Sequence, residues 1–205
     1  MNPAALPLVI AGGGKSMYNN HLQGKTSLAE ERNAMSESRS DIQSAPCVIG
    51  RASAQDEDAI YALYHSLIGA PYGTWSEEYP DREQVREDLL HSEVFVMRAQ
   101  GRVIAAIVNE DSDEFDGMAP WYADVKHWAQ LGRLGVDSAW QGRGVGRAMV
   151  RHALACARAE GCDAARLLVG VHNLPAKRIY DALGFEGCGE ADAWGNRWLC
   201  CQKRL

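Results

Sequence analysis

The sequence predicts an α/β fold, and three observations carry that prediction. Short runs rich in β-branched residues, such as EVFVMRA and RVIAAIVNE, are interspersed with segments whose apolar residues recur every three or four positions, as on amphipathic helices. In the last third the order reads strand, glycine-rich turn, helix, strand, helix. A chain of 205 residues, 46% of them hydrophobic, is long enough for one sizeable core.

The elements follow in order. Residues 1–34 are rich in Gly, Asn, Ser and Lys without sustained periodicity, and Met35 is a plausible alternative start. Residues 1–46 are therefore expected to be an N-terminal extension, flexible or not native, ahead of one domain at 47–205. GGGKS (Gly12–Ser16) and GKT (Gly24–Thr26) look like phosphate loops, but the upstream glycine of that motif falls at Val9 and Asn19. CVIGRAS opens the domain as a short strand. AQDEDAIYALYHSLIG follows as a helix with Ala59, Ile60, Leu63, Leu67 and Ile68 along one side, stopping near Gly69 and Pro71. APYGTWSEEYPD is an aromatic, acidic loop and REQVREDLLHS a second helix, while EVFVMRA and RVIAAIVNE form a hairpin across Gln100-Gly101. DSDEFDGMAPWYADVKHW is too polar for core and too aromatic for a linker.

AQLGRLGVDS (Ala129–Ser138) is strand-like, and its glycines mark a bulge or a close ligand approach. GRAMVRHALACARAEG forms a helix with Met149, Val150, Ala153, Leu154 and Ala157 facing inward. ARLLVGV is the next strand. In NLPAKRIYDALGF, Asn173 caps a helix, Pro175 occupies the first turn where its missing N–H costs nothing, and Gly184 closes it. WGNRWLCCQKR supplies a last strand.

Composition excludes several function classes. The formal net charge of −6 leaves no electrostatic footprint for nucleic acid or anionic lipid and suits a cationic or small partner. No apolar stretch approaches the roughly 18 residues of a membrane span, and AALPLVIAGGG lacks the basic flank of a secretory signal. The six cysteines contain no CxxC pair, so they read as reduced thiols of a cytoplasmic protein, and no metal site is expected.

The glycines of WQGRGVG need a reason, because glycine loses the most backbone freedom on folding. A turn entering a helix exposes unpaired N–H groups at the positive end of the helix dipole, which hold an anion such as phosphate. Without a Cβ the backbone itself comes close to that anion. Arg143 and Arg147 add charge at the same rim, although a plain strand-to-helix turn would use the same glycines. A dinucleotide fold fits poorly. Its GxGxxG fingerprint needs glycine where Arg147 stands, Asp163 precedes the second strand instead of ending it, and only about sixty residues follow the turn.

RLGVDSAWQGRGVGRAMV followed by HNLPAKRIYDALGF resembles the GNAT family of N-acetyltransferases, a likeness that covers Cys47 to Leu205. The family's Q/R-x-x-G-x-G/A signature maps onto Gln141, Gly144 and Gly146, and its second signature onto Asn173, Ala176, Tyr180, Gly184 and Phe185. Spacing supports the second independently, since Asn173, Ala176 and Tyr180 share one helix face. The resemblance implies a mixed, mostly antiparallel sheet with helices on both faces, splayed so that the pantetheine arm of acetyl-CoA inserts like an extra strand. It implies that Gln141, Gly142, Arg143, Gly144, Val145, Gly146 and Arg147 cradle the pyrophosphate, with Leu134, Gly135, Val136, Asn173, Ala176 and Tyr180 also at the cofactor.

The same resemblance implies acetyl transfer to a primary amine of a small molecule or peptide, by direct attack in a ternary complex and without an acyl-cysteine. A backbone N–H in the strand ending at Val136 would polarise the thioester carbonyl, and Tyr180 would be the general acid. Tyrosine suits that role because its ordinary pKa of about 10 lies above that of a thiol. Family members often carry a glutamate on this strand, where the chain has Gln130, which cannot take a proton. Glu110, Asp124 and His127 are the candidate bases. Tyr72, Trp75, Tyr79 and Trp121, among acidic residues, would wall an acceptor site for a cationic amine. GEADAWGNRWLCC would complete that pocket or a homodimer contact. The alternative is a non-catalytic acyl-CoA-binding sensor, which the missing strand glutamate favours.

Overall fold

The computed structural model describes residues 47–205, so the N-terminal extension and its two phosphate-loop-like runs lie outside the described residues. The strands are β1 (Cys47–Arg51), β2 (Glu93–Ala99), β3 (Arg102–Glu110), β4 (Trp128–Val136), β5 (Ala164–Gly170), β6 (Glu186–Ala193) and β7 (Asn196–Arg204). They form one sheet in the order β1-β2-β3-β4-β5-β7-β6. Its neighbours are all antiparallel except β4 and β5. Helices α1 (Glu57–His65) and α2 (Arg82–His91) precede β2, α3 (Val145–Ala159) joins β4 to β5, and α4 (Leu174–Ala182) joins β5 to β6.

Alternation along the strands sends neighbouring side chains to opposite faces. Val94, Val96, Ala106 and Val108 meet α1 and α2, whereas Phe95, Met97, Ala105 and Ile107 meet the apolar stripe of α3. That stripe contains the expected Met149, Val150, Ala153, Leu154 and Ala157, all buried. The β2–β3 hairpin turns at Gln100 and Gly101, both at positive φ (50° and 76°). Along α1 and the turn that follows it the buried stripe is Ile60, Leu63, Tyr64 and Leu67, an i, i+3, i+4, i+7 series. Tyr64 thus takes the place that the sequence assigns to Ala59, which is exposed.

Two segments depart from expectation. The C-terminal region is a hairpin where the sequence suggests one strand: Trp194 and Gly195 make the turn, and EGCGEADA before them is β6. Glycines and acids have low strand propensity, and here pairing with β7 overrides it at the sheet edge. The segment 111–127 contributes to core despite its polarity. Phe115 is buried with Leu168, Trp198 and Cys200, and Arg166 of β5 anchors the segment by donating to Asp116 (2.6 Å) and the Ser112 carbonyl (2.7 Å).

Gly135 marks a close approach. A Cβ there would lie 3.0 Å from two Tyr64 ring carbons and 3.2 Å from Leu67 Cδ1. Gly135→Ala should therefore cost roughly 1–3 kcal/mol through overpacking, read as a lower denaturation midpoint at unchanged slope. None of the six cysteines forms a disulfide. Among the described residues no helix is long and apolar enough to cross a membrane.

Candidate active site

The site grows from the one parallel pair in the sheet. β4 and β5 are paired only where Trp128, Ala129 and Gln130 face Ala164, Ala165 and Arg166, and beyond that point the ladder ends and the strands part. On its other side β4 carries a bulge: Gly135 and Gly132 pair with Ala106 and Val108, so Arg133 and Leu134 occupy the irregular step. Arg133 has a φ of 47°. Of the two alternatives that the glycines offered, the bulge occurs in this strand, while the close approach at Gly135 is to the Tyr64 and Leu67 side chains.

At the open end the Gln141 side chain donates to the Val136 carbonyl (2.9 Å) and ties the glycine turn to β4. Gly142 (φ 73°) and Gly144 (φ 82°) occupy the left-handed region, which explains two of the three glycines. Gly144 is the N-cap of α3 and offers no side chain to cap the N–H groups of the first helical turn. They border a cleft of about 370 Å³ lined by Val136, Gln141, Gly144 and Arg147 on one side and Pro175 and Arg178 on the other. Arg143 stands over the Trp140 ring at 5.5 Å. Arg178 was not legible as a cleft residue, because only the packing of α4 beside the turn brings it there.

On α4, the Asn173 side chain accepts from the Ala176 N–H (3.1 Å), the cap its position predicts. Tyr180 is buried edge-on to Phe185, with ring centroids 5.5 Å apart. Its hydroxyl has no hydrogen-bond partner. Burial, with a smaller contribution from Cys201, pushes its pKa well above the usual tyrosine range and keeps the group protonated. A helix N-terminus without a side-chain cap, parted strands and an orphaned hydroxyl fit a ligand that brings phosphate, an extended arm and a hydrogen-bonding end.

The candidate bases separate. Glu110, at the end of β3, forms an ion pair with Arg133 and accepts from Gln130 Nε2 at 3.4 Å. It lines a cleft of about 410 Å³ at the paired end of β4, and His127 lines the same cleft. Asp124 lies elsewhere, exposed, with its two carboxylate oxygens bound to Arg204 at 2.8 and 3.0 Å. That pairing draws its pKa below the ordinary carboxylate range.

The four aromatic residues assigned to an acceptor wall are also divided. Trp75 and Tyr79 are buried in the α1–α2 core, with Trp75 packed against Tyr64 at 4.8 Å. Trp121 belongs to the cluster over β5 and β7, donating to the Phe115 carbonyl (2.7 Å), and Tyr72 is exposed. Tyr64 Oη, Thr74 Oγ1 and Trp75 Nε1 are buried without partners.

The feature missed in the sequence is a buried ionic cluster. Arg133 donates from Nε and Nη2 to Asp88 of α2 (2.6 and 2.8 Å) and from Nη1 to the Tyr79 hydroxyl (2.8 Å). Gln84 completes Asp88 at 2.9 Å. The available signal was an arginine inside the apolar run LGRLGV, a placement that demands a buried partner.

A sequence model of the Acetyltransferase (GNAT) family matches residues 60–185. Among solved structures, the chain is similar to a ribosomal-protein-alanine N-acetyltransferase from Brucella melitensis at 21% identity and TM-score 0.59, covering 77% of this chain and 99% of that one. It is similar to a putative acetyltransferase from Salmonella typhimurium, solved with acetyl-CoA, at 21% identity and TM-score 0.62, covering 78% and 95%. A GNAT acetyltransferase from Streptococcus agalactiae matches at 19% identity and TM-score 0.64, again covering 78% and 95%. At these identities the likeness is one of fold. No match is found among curated protein sequences. With the family's sequence pattern running from α1 to the end of α4, the chain belongs to the GNAT family of acetyltransferases, enzymes that use acetyl-CoA.

Proposed function

We propose that the protein moves an acetyl group from acetyl-CoA to a primary amine of a small molecule or peptide by direct attack in a ternary complex. The observation that carries this reading is the convergence of the parted β4–β5 pair, the uncapped N-terminus of α3 and the partnerless Tyr180 hydroxyl. Acetyl-CoA, when bound, supplies an activated thioester.

The N–H groups that open α3, with Arg147 at the rim, hold the diphosphate. The stretch Leu134–Val136 offers backbone N–H groups beside the gap between the strands, where negative charge grows on the carbonyl oxygen. Tyr180 is uncharged when the transfer begins and gives its proton to the departing thiolate, which leaves as the thiol, and the phenolate is then reprotonated from water. The attacking amine must be neutral. Glu110 is the group that takes its proton, directly or through water, and His127 at the same cleft is the second choice. Gly132 lies beside Glu110, where a Cβ would make ordinary contact with the carboxylate at 3.5 Å. Tyr64, Thr74 and Trp75 contribute buried polar atoms that an acceptor would satisfy.

Calorimetric titration with acetyl-CoA, free CoA and NADH tests the reading. Saturable binding of the first two and none of NADH is expected. Gly144→Glu, which places a negative side chain on a left-handed residue at the phosphate cradle, should weaken acetyl-CoA binding by at least about tenfold. Absence of CoA binding by folded protein would remove the proposal. Binding without thiol release across an amine screen would favour the acyl-CoA sensor, the reading suggested by Gln130 on β4.

A further inference from the structure

We infer that Arg133 is a positioning residue for the transfer step: from inside the core it pins the β4 bulge in register and holds Glu110 beside it. The inference rests on the acetyltransfer reading and adds a device to it.

A φ of 47° is unfavourable for a residue with a side chain, and at Arg133 it falls in the strand step that precedes Leu134–Val136. Something must hold it there. The guanidinium is 1% exposed, with Asp88, Tyr79 and Glu110 all around it. These partners come from α2, the α1–α2 loop and β3, so one side chain on β4 gathers three other segments. Its charge is matched inside the protein, which leaves it no free fork for a substrate.

A strand that slips by one residue turns every following side chain to the other face and every following N–H to the other edge. Closing the bulge would do this to Leu134, Gly135 and Val136. It would also draw Arg133 away from Asp88 and strand two carboxylates near the core. Buried ion pairs are poor sources of net stability, but register is the use in which they are best attested. A neutral strand residue at 133 would leave the bulged and unbulged pairings closer in energy.

Arg133→Lys tests the pin, because lysine keeps the charge near Asp88 but lacks the planar fork that reaches three partners at once. Tyr79→Phe removes one of those partners, and Gln84→Ala serves as the control that loosens Asp88 without touching Arg133. Each variant is measured for kcat, KM for acetyl-CoA, CoA affinity by calorimetry, and the amide resonances of Gly132 and Gly135. Arg133→Lys should lose about 10- to 100-fold in kcat. Its CoA affinity should stay within about threefold because the glycine turn is intact. The two glycine resonances should move.

Tyr79→Phe should show the same pattern more weakly, and Gln84→Ala should lower the melting temperature alone. The inference is overturned if Arg133→Lys folds with kcat within about twofold of wild type and unmoved resonances. If Arg133→Lys does not fold, Tyr79→Phe decides, and an unchanged rate and spectrum there overturn it equally. Wild-type protein that binds no acetyl-CoA would count against the acetyltransfer reading, whereas the resonances judge the pin separately.

Discussion

Tyr180→Phe should lower kcat by about 10²- to 10⁴-fold, the range of a lost general acid, while acetyl-CoA affinity changes little. The expectation is sharp because the substitution is nearly silent in every other respect. The ring packs against Phe185 inside the core, and phenylalanine fills the same space. The hydroxyl has no protein partner, so its removal breaks no internal hydrogen bond, and the melting temperature should hold or rise slightly. Burial keeps the phenol protonated well above neutrality, so the deficit should be uniform between about pH 6 and 9. Initial rates by thiol release, with calorimetry and a thermal melt on the same preparation, check all three points. An undiminished rate would take Tyr180 out of the mechanism and leave its orphaned hydroxyl unexplained.

Asp88→Ala should be the most damaging single change to stability. It leaves the Arg133 guanidinium in the core with Glu110 and Tyr79 but without its forked carboxylate. Breaking a buried pair from one side costs about 3–5 kcal/mol, against a total stability of roughly 5–15 kcal/mol. At about 2–4 °C per kcal/mol for a chain of this size, the melting temperature should fall by roughly 6–20 °C. Combining Asp88→Ala with Arg133→Met should cost less than the sum of the two single changes, since the double variant no longer buries a guanidinium that has lost its forked carboxylate. Strict additivity in denaturant melts would mean that the two residues are not coupled, despite 2.6 and 2.8 Å contacts. Stability and catalysis are then separable readouts of one cluster. Asp88→Ala reports what the pair contributes to the core, and Arg133→Lys reports what it does for β4.

Local chemistry decided much of this protein, and those parts were legible. The Gln100-Gly101 hairpin, the inward stripe of α3, the Asn173 cap followed by Pro175, and the left-handed Gly142 and Gly144 depend on neighbours a few residues away. Periodicity and turn chemistry act over that distance, so the elements and the phosphate-cradle candidate could be placed before any coordinate was known. The glycines of LGRLGV pointed to the bulge as well, because a bulge is a backbone event.

What remained hidden depends on residues far apart in the chain. β6 is strand by virtue of β7, since its glycines and acids would not choose that conformation alone. Phe115 is core only because Arg166, some fifty positions later, holds its acidic segment over β5 and β7. Asp124 is tied to Arg204, while Glu110 is drawn to Arg133, so three base candidates that were equal in the sequence stand in unlike environments. The sequence by itself determined the four helices, every strand but β6, the turns between them and the family to which they belong. Only the tertiary structure decided which charges are buried together, because desolvation and ion pairing are properties of a three-dimensional environment that no local pattern encodes.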